Sequence, residues 1–175
     1  MDESRFTHRT VWLEADGRTV GILDQTRLPF ETVDVRLTSL SDAETAIRDM
    51  LVRGAPLIGA VGAYGMALAL AEDPSDVMIA TAYDRLFATR PTAINLRWAL
   101  DDLRERVAPL PEAARADAAY ARAREISDED VAINRAIGEN AFRLIEARYE
   151  AIGRSRPVEI LTHCNAGFLA TVGWG

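Results

Sequence analysis

Apolar, β-rich runs at 10–15 and 18–23 flank the pair Asp16 and Gly17, a strong short-range signal for two strands joined by a tight turn. Residues 31–37 alternate polar and apolar side chains and predict a third strand of the same small antiparallel sheet. Beyond Ser41 the period lengthens to that of a helix. Ala43, Ala46, Ile47, Met50 and Leu51 fall on one helical face, and Ser41 and Glu44 have capping-box spacing. Gly54 suits a helix stop and Pro56 biases Ala55 away from the α region, so the helix is expected to end near Arg53 and Gly54. Arg-Gly-Ala-Pro then reads as a corner between two helices.

Residues 57–71 form the most apolar run, shorter than the roughly 20 residues that span a bilayer, and predict a buried helix. Gly59, Gly62 and Gly65 recur along it, each costing up to about 1 kcal/mol of helix propensity relative to alanine. Something must approach that face closely. A neighbouring helix backbone is expected there, with a ligand as the alternative. Another helix is expected over 75–88. A second corner at 89–93 follows, with Thr92 as the N-cap of a helix burying Ile94, Leu96, Ala99, Leu100 and Leu103. Residues 112–124 are rich in Ala, Arg and Asp. Ser127 with Asp128, Glu129 and Asp130 predicts a new helix over 128–149, acids at its positive end, carrying Val131, Ile133, Ile137, Phe142 and Ile145 inward. Residues 153–157 break it.

Residues 158–164 read as a short strand, followed by Asn165, Ala166 and Gly167 and then by the opening of a helix. Strand, glycine loop and helix make the first half of a parallel βαβ unit. The predicted fold is an α+β N-terminal domain over 1–125, a small antiparallel sheet plus a helical bundle. Residues 126–175 then supply a linking helix and the first βα unit of an incomplete Rossmann-like α/β domain. A parallel strand needs neighbours on both edges and cover on its faces, so the pattern predicts the N-terminal part of something longer.

Hydrophobic residues at 49% and charged residues at 27% describe a chain that folds, and the net charge of −7 disfavours nucleic acid or an anionic membrane as partner. Local arginines still permit a small anion. The single cysteine excludes an internal disulfide, and two scattered histidines give no zinc-site spacing. The first residues show no signal-peptide pattern, and a cytoplasmic address is expected.

Cys164 is expected at the carboxyl end of a strand and the start of a helix, where the helix dipole lowers a thiol pKa toward a range useful for proton transfer or attack. The same residue also fits an inert core thiol. His163 is either a supporting or a merely exposed histidine. Arg53 and Arg90 each stand beside a predicted helix start, where backbone N–H groups and a guanidinium together suit a phosphate. Either could equally be a solvated surface arginine, and a shared site requires the two corners to converge.

Taken together, Asp24 and Gln25 with Leu28 and Pro29, VRGAPLIG at 52–59, AYG at 63–65, TRPTAINL at 89–96 and LTHCNAG at 161–167 resemble the methylthioribose-1-phosphate isomerase family of methionine salvage. That family is similar in fold to the regulatory subunits of initiation factor two B and to ribose-1,5-bisphosphate isomerase. The resemblance implies an intramolecular oxidoreductase, an aldose-ketose isomerase converting 5-methylthioribose 1-phosphate to 5-methylthioribulose 1-phosphate. It implies no metal or organic cofactor, a small-molecule sugar phosphate as ligand, and a homodimer. It carries the substrate corner onto Arg53, Gly54 and Ala55, a second phosphate arginine onto Arg90 and the catalytic cysteine onto Cys164. His163 and Asn165 stand beside that cysteine as support. The family's aspartate, a later glutamine and an Asn-Lys pair have no match here, so residues 1–175 alone are expected to be inactive. Alternatives are ribose-1,5-bisphosphate isomerase activity and a non-catalytic regulatory subunit of the same fold.

Overall fold

The computed structural model describes residues 9–163 and 166–175. Strands β1 (Val11–Leu13), β2 (Val20–Leu23) and β3 (Asp34–Leu37) form an antiparallel sheet in the order β1-β2-β3. The predicted turn is built by the Asp16 carboxylate, which accepts from the backbone N–H groups of Arg18 and Thr19, both at 2.8 Å, while Gly17 takes φ +70°. Val11 stands opposite Ile22 and Val20 opposite Leu37, and all four are buried against the helices.

Among the described residues five α-helices follow: α1 (Leu40–Arg48), α2 (Ala55–Glu72), α3 (Asp76–Thr89), α4 (Ile94–Val107) and α5 (Glu112–Ala151). Helix α2 is the central element, buried from Leu57 to Leu70 and packed against the other four. By length and composition it could cross a membrane, but 78% of it lies inside the fold, which is how a core helix reads. Its glycines are met by neighbouring helices, as expected. A Cβ built on Gly59 would stand 2.9 Å from the Asn95 carbonyl oxygen, and one on Gly65 would stand 2.9 Å from the Ala43 Cβ.

Several local expectations are corrected. Ser39, not Ser41, caps α1, accepting from the Asp42 N–H at 3.2 Å while the Asp42 carboxylate accepts from Ser39 N–H at 3.0 Å. Glu44 is instead a buried partner of Arg85 on α3. Helix α1 stops at Arg48, and Met50, expected inward, is exposed at φ +62°. Gly54 does not end a helix but precedes α2 as its N-cap. Ala93, not Thr92, precedes α4, and Ile94 faces outward while Leu96, Ala99, Leu100 and Leu103 are buried.

The helix expected over 128–149 does not start anew but continues the Ala-, Arg- and Asp-rich stretch before it, as α5 runs unbroken from Glu112 to Ala151. Ser127 starts nothing: its hydroxyl donates to the Ala123 carbonyl at 2.9 Å inside continuous α5. Two arginines anchor the first half of α5. Arg115 donates to the carbonyls of Ala108, Leu110 and Pro74, and Arg122 pairs with Asp102 at 2.6 Å. Past that anchor Ile133, Ile137 and Phe142, expected inward, are exposed.

The Rossmann-like start is not seen. Residues 158–163 form no strand, because no strand among the described residues pairs with them, and Ile160 and Leu161 are exposed. The following segment makes a single 3-10 turn, Phe168–Ala170, rather than an α-helix.

Candidate functional site

Helices α2 and α4 run side by side in the same direction. Gly59 faces Asn95, and Gly62, one turn on, faces Leu96 and Leu100. Their N-termini therefore lie at the same end of the bundle, with the positive ends of both dipoles. Arg53 and Gly54 lead into α2; Arg90 is the C-cap of α3, three residues before Ala93 and α4.

These two starts differ from those of α1 and α3. Ser39 and Ser75 cap α1 and α3 with side-chain oxygens, and each has an aspartate in its first turn. Gly54 and Ala93 offer no side-chain cap, and neither α2 nor α4 has an acid in its first turn. The first N–H groups of both helices therefore keep their donor capacity where an anion is favoured.

The segment after Cys164 closes on the same corner. Gly54, at φ +116°, sits directly on the backbone of Ala170, so that no side chain could be added to Gly54 without collision. Thr10 N–H donates to the Val172 carbonyl at 3.0 Å, and Val172 N–H donates to Asp130 Oδ2 of α5 at 2.7 Å. Burial pushes the Asp130 carboxyl above its usual range, partly opposed by the Val172 and Asn134 donors.

A hollow of about 360 Å³ adjoins the two helix starts, lined by Pro56, Gly59, Asn95, Trp98, Ile133 and Ile137 among others. It is mostly apolar with Asp130 and Asn134 at its wall, and half-exposed Trp98 forms part of its rim. A separate hollow, lined by Arg18, Glu72 and Tyr120, lies at the far end of α2.

Of the residues expected in a site, Arg53, Gly54, Ala55 and Arg90 are thus carried to one end of the fold. His163 is exposed in a stretch without regular structure. Cys164 and Asn165 lie outside the described residues. Among the described residues no three of His, Cys, Asp or Glu come together as a metal site would need. Sequence reasoning missed Asp130, read only as a helix-start acid, and the Trp98 hollow. Its signal was available only as the outward α4 position of a tryptophan.

The model of the Initiation factor 2 subunit family matches residues 51–172. A methylthioribose-1-phosphate isomerase of Paramagnetospirillum magneticum is 60% identical over 168 residues, 96% of this chain and 46% of that protein. Among solved structures, the translation initiation factor eIF-2B subunit delta of A. fulgidus superposes with a TM-score of 0.79 at 30% identity, over 97% of this chain and 48% of that one. The 5-methylthioribose 1-phosphate isomerase of Pyrococcus horikoshii superposes at 0.73 and 34% identity, over 95% and 46%. The chain spans a little under half the length of these proteins.

Proposed function

As this chain belongs to the Initiation factor 2 subunit family, we propose that it supplies the substrate corner of an isomerase turning 5-methylthioribose 1-phosphate into 5-methylthioribulose 1-phosphate, a step of methionine salvage. The observation that carries this reading is the pair of uncapped, parallel helix starts beside Arg53 and Arg90, with the segment after Cys164 packed on Gly54.

The chemistry assigns the parts. The bond between C1 and the ring oxygen breaks and that oxygen takes a proton. The hydrogen on C2 moves to C1, and the C2 hydroxyl loses its proton as the carbonyl forms, so atoms and electrons balance within one molecule. Arg53, the N–H groups after Gly54, and Arg90 hold the phosphate without entering the reaction. Cys164 carries the proton at the reacting carbons or stabilises the moving charge, with His163 and Asn165 beside it. Among the described residues lining the apolar hollow at Trp98 there is no second cationic clamp, which favours a methylthio substituent over the second phosphate of ribose 1,5-bisphosphate.

The division at 1–125 and 126–175 belongs to the same proposal, although α5 itself runs unbroken across it. The outer half of α5, where Ile133, Ile137, Phe142 and Leu144 are exposed, is the surface we assign to the remaining length found in the relatives. Homodimer formation and a cytoplasmic setting go with that assembled protein. A regulatory reading has one observation in its favour, the TM-score of 0.79 to the eIF-2B subunit. Fold alone does not decide it, and a scaffold has no use for a reactive thiol together with a phosphate corner.

The test measures turnover of 5-methylthioribose 1-phosphate and ribose 1,5-bisphosphate by a protein spanning the relatives' full length and carrying residues 1–175. Turnover of the first, lost in Cys164→Ala, supports the reading. Preference for the bisphosphate, or turnover unchanged in Cys164→Ala, overturns it.

A further inference from the structure

Gln25 lies two residues past the end of β2 and is only 3% exposed. Its backbone N–H donates to the Leu51 carbonyl at 2.8 Å. Its side-chain Nε2 donates to the Leu169 carbonyl at 2.7 Å. The two acceptors belong to different parts of the candidate site. Leu51 leads into Arg53 and Gly54, and Leu169 belongs to the 3-10 turn that follows Gly167. One residue therefore bonds both the arginine corner and the segment leading away from Cys164, next to the place where Gly54 and Ala170 touch.

The other end of the amide, Oε1, is buried and meets no donor among the described residues. Burying an unmet acceptor costs about 1–3 kcal/mol, so an apolar side chain of the same length would serve a core better. Stability is a poor reason for an amide here, and geometry a good one. We propose that Gln25 is a positioning residue that sets the spacing between the Arg53 corner and the segment after Cys164. Only the catalytic consequence rests on the isomerase reading; the latch itself is a property of this chain.

The latch is tested by amide hydrogen exchange on the 175-residue chain, comparing Gln25→Met and Gln25→Glu with the parent. Methionine matches glutamine in length but cannot donate to Leu169. Exchange at Ala170 and Thr171 should quicken by about fivefold, the equilibrium factor of one net hydrogen bond, while exchange in the core of α2 stays unchanged. In Gln25→Glu the introduced carboxyl, once ionised at the upper end of a pH series, also lacks a proton and should quicken the same amides. Burial holds that carboxyl above the ordinary glutamate range. As the pH falls through its titration the acid regains an O–H that donates to Leu169, and the ratio to the parent should return toward one. Loss of core stability alone would not reverse in this way.

Exchange at 170–171 unchanged in both variants, or quickened equally throughout α2, overturns the proposal. If Gln25→Met does not fold, the pH series of Gln25→Glu decides alone. No substrate enters this experiment, so its failure is distinct from an absence of isomerase turnover.

Discussion

Gly54 and Ala170 meet backbone to backbone: a Cβ built on Gly54 would stand 2.3 Å from the Ala170 Cα and 2.5 Å from its carbonyl oxygen. Residues more than a hundred positions apart are thus held together at the mouth of the candidate site, and only a glycine permits it. Gly54→Ala adds a side chain at φ +116° and forces that contact apart. It is expected to cost about 2–4 kcal/mol, combining backbone strain with overpacking. Thermal unfolding should show a fall in Tm of roughly 5–15 °C for a chain of this size.

The glycines of α2 separate by what they meet. At Gly59 an added Cβ would lie 2.9 Å from the Asn95 carbonyl oxygen, a backbone atom that moves only if α4 moves. At Gly62 the obstacle is the end of the Leu96 side chain, which can change rotamer. Gly59→Ala should therefore destabilise by about 1–3 kcal/mol, whereas at Gly62→Ala the gain of about 1 kcal/mol in helix propensity offsets the crowding. Urea denaturation of the two variants checks the difference.

If the uncapped starts of α2 and α4 hold a phosphate, ribose 1-phosphate should bind and its affinity should depend on both corners. Arg53→Ala and Arg90→Ala are each expected to weaken binding by about ten- to a hundredfold, the range for losing a charge-assisted hydrogen bond. Isothermal titration calorimetry measures it, and equal affinity in all three proteins would remove the phosphate assignment.

Two carboxylates should respond to pH with opposite sign. Burial opposes the Asp42 charge, but bonds from Thr38 and Ser39 outweigh it and hold the carboxyl below its usual range. Its contribution is present above the unfolded pKa and is lost as pH falls through the lowered folded value. The stability difference between parent and Asp42→Ala, about 1 kcal/mol at neutral pH, should shrink in acid. Asp130 is raised by burial, so its contribution is full below the unfolded pKa and is lost as pH rises through the folded one. Asp130→Asn keeps an acceptor for Val172 and removes the charge. It should gain stability relative to the parent at neutral pH and lose that gain in acid, as Tm against pH would show.

The outer half of α5 offers a test of assembly. Ile137 is 59% exposed, so Ile137→Asp should change the stability of this chain by no more than about 0.5 kcal/mol. If the relatives' remaining length packs there, that part expressed separately should bind the parent chain and not the variant. Analytical ultracentrifugation of the mixtures distinguishes this from self-association.

Much of the architecture was legible in the pattern of residues. The meander around Asp16 and Gly17 and the buried helix with its glycine stripe follow from local chemistry that needs no distant partner. Motif reading also put Gly54 and Arg90 at helix boundaries, which is where the structure has them. It failed where a local signal had a tertiary competitor. Ser41 and Glu44 have the spacing of a cap, yet Ser39 and Asp42 take that role because Glu44 is claimed by Arg85. Ser127 resembles a helix start, yet it sits within α5, whose first half Arg115 and Arg122 pin to the bundle.

By itself the sequence determined which segments are strand, helix and turn across most of the chain, because alternation, helical period and glycine or proline placement act over a few residues. Only the tertiary structure decided that α2 and α4 run parallel, so that two arginine corners share one end. It also decided that Gln25 and Gly54 bind the segment after Cys164, and that residues 158–163 stay out of a sheet. Those outcomes depend on which distant atoms arrive to accept a hydrogen bond or fill a gap, and no local pattern carries that information.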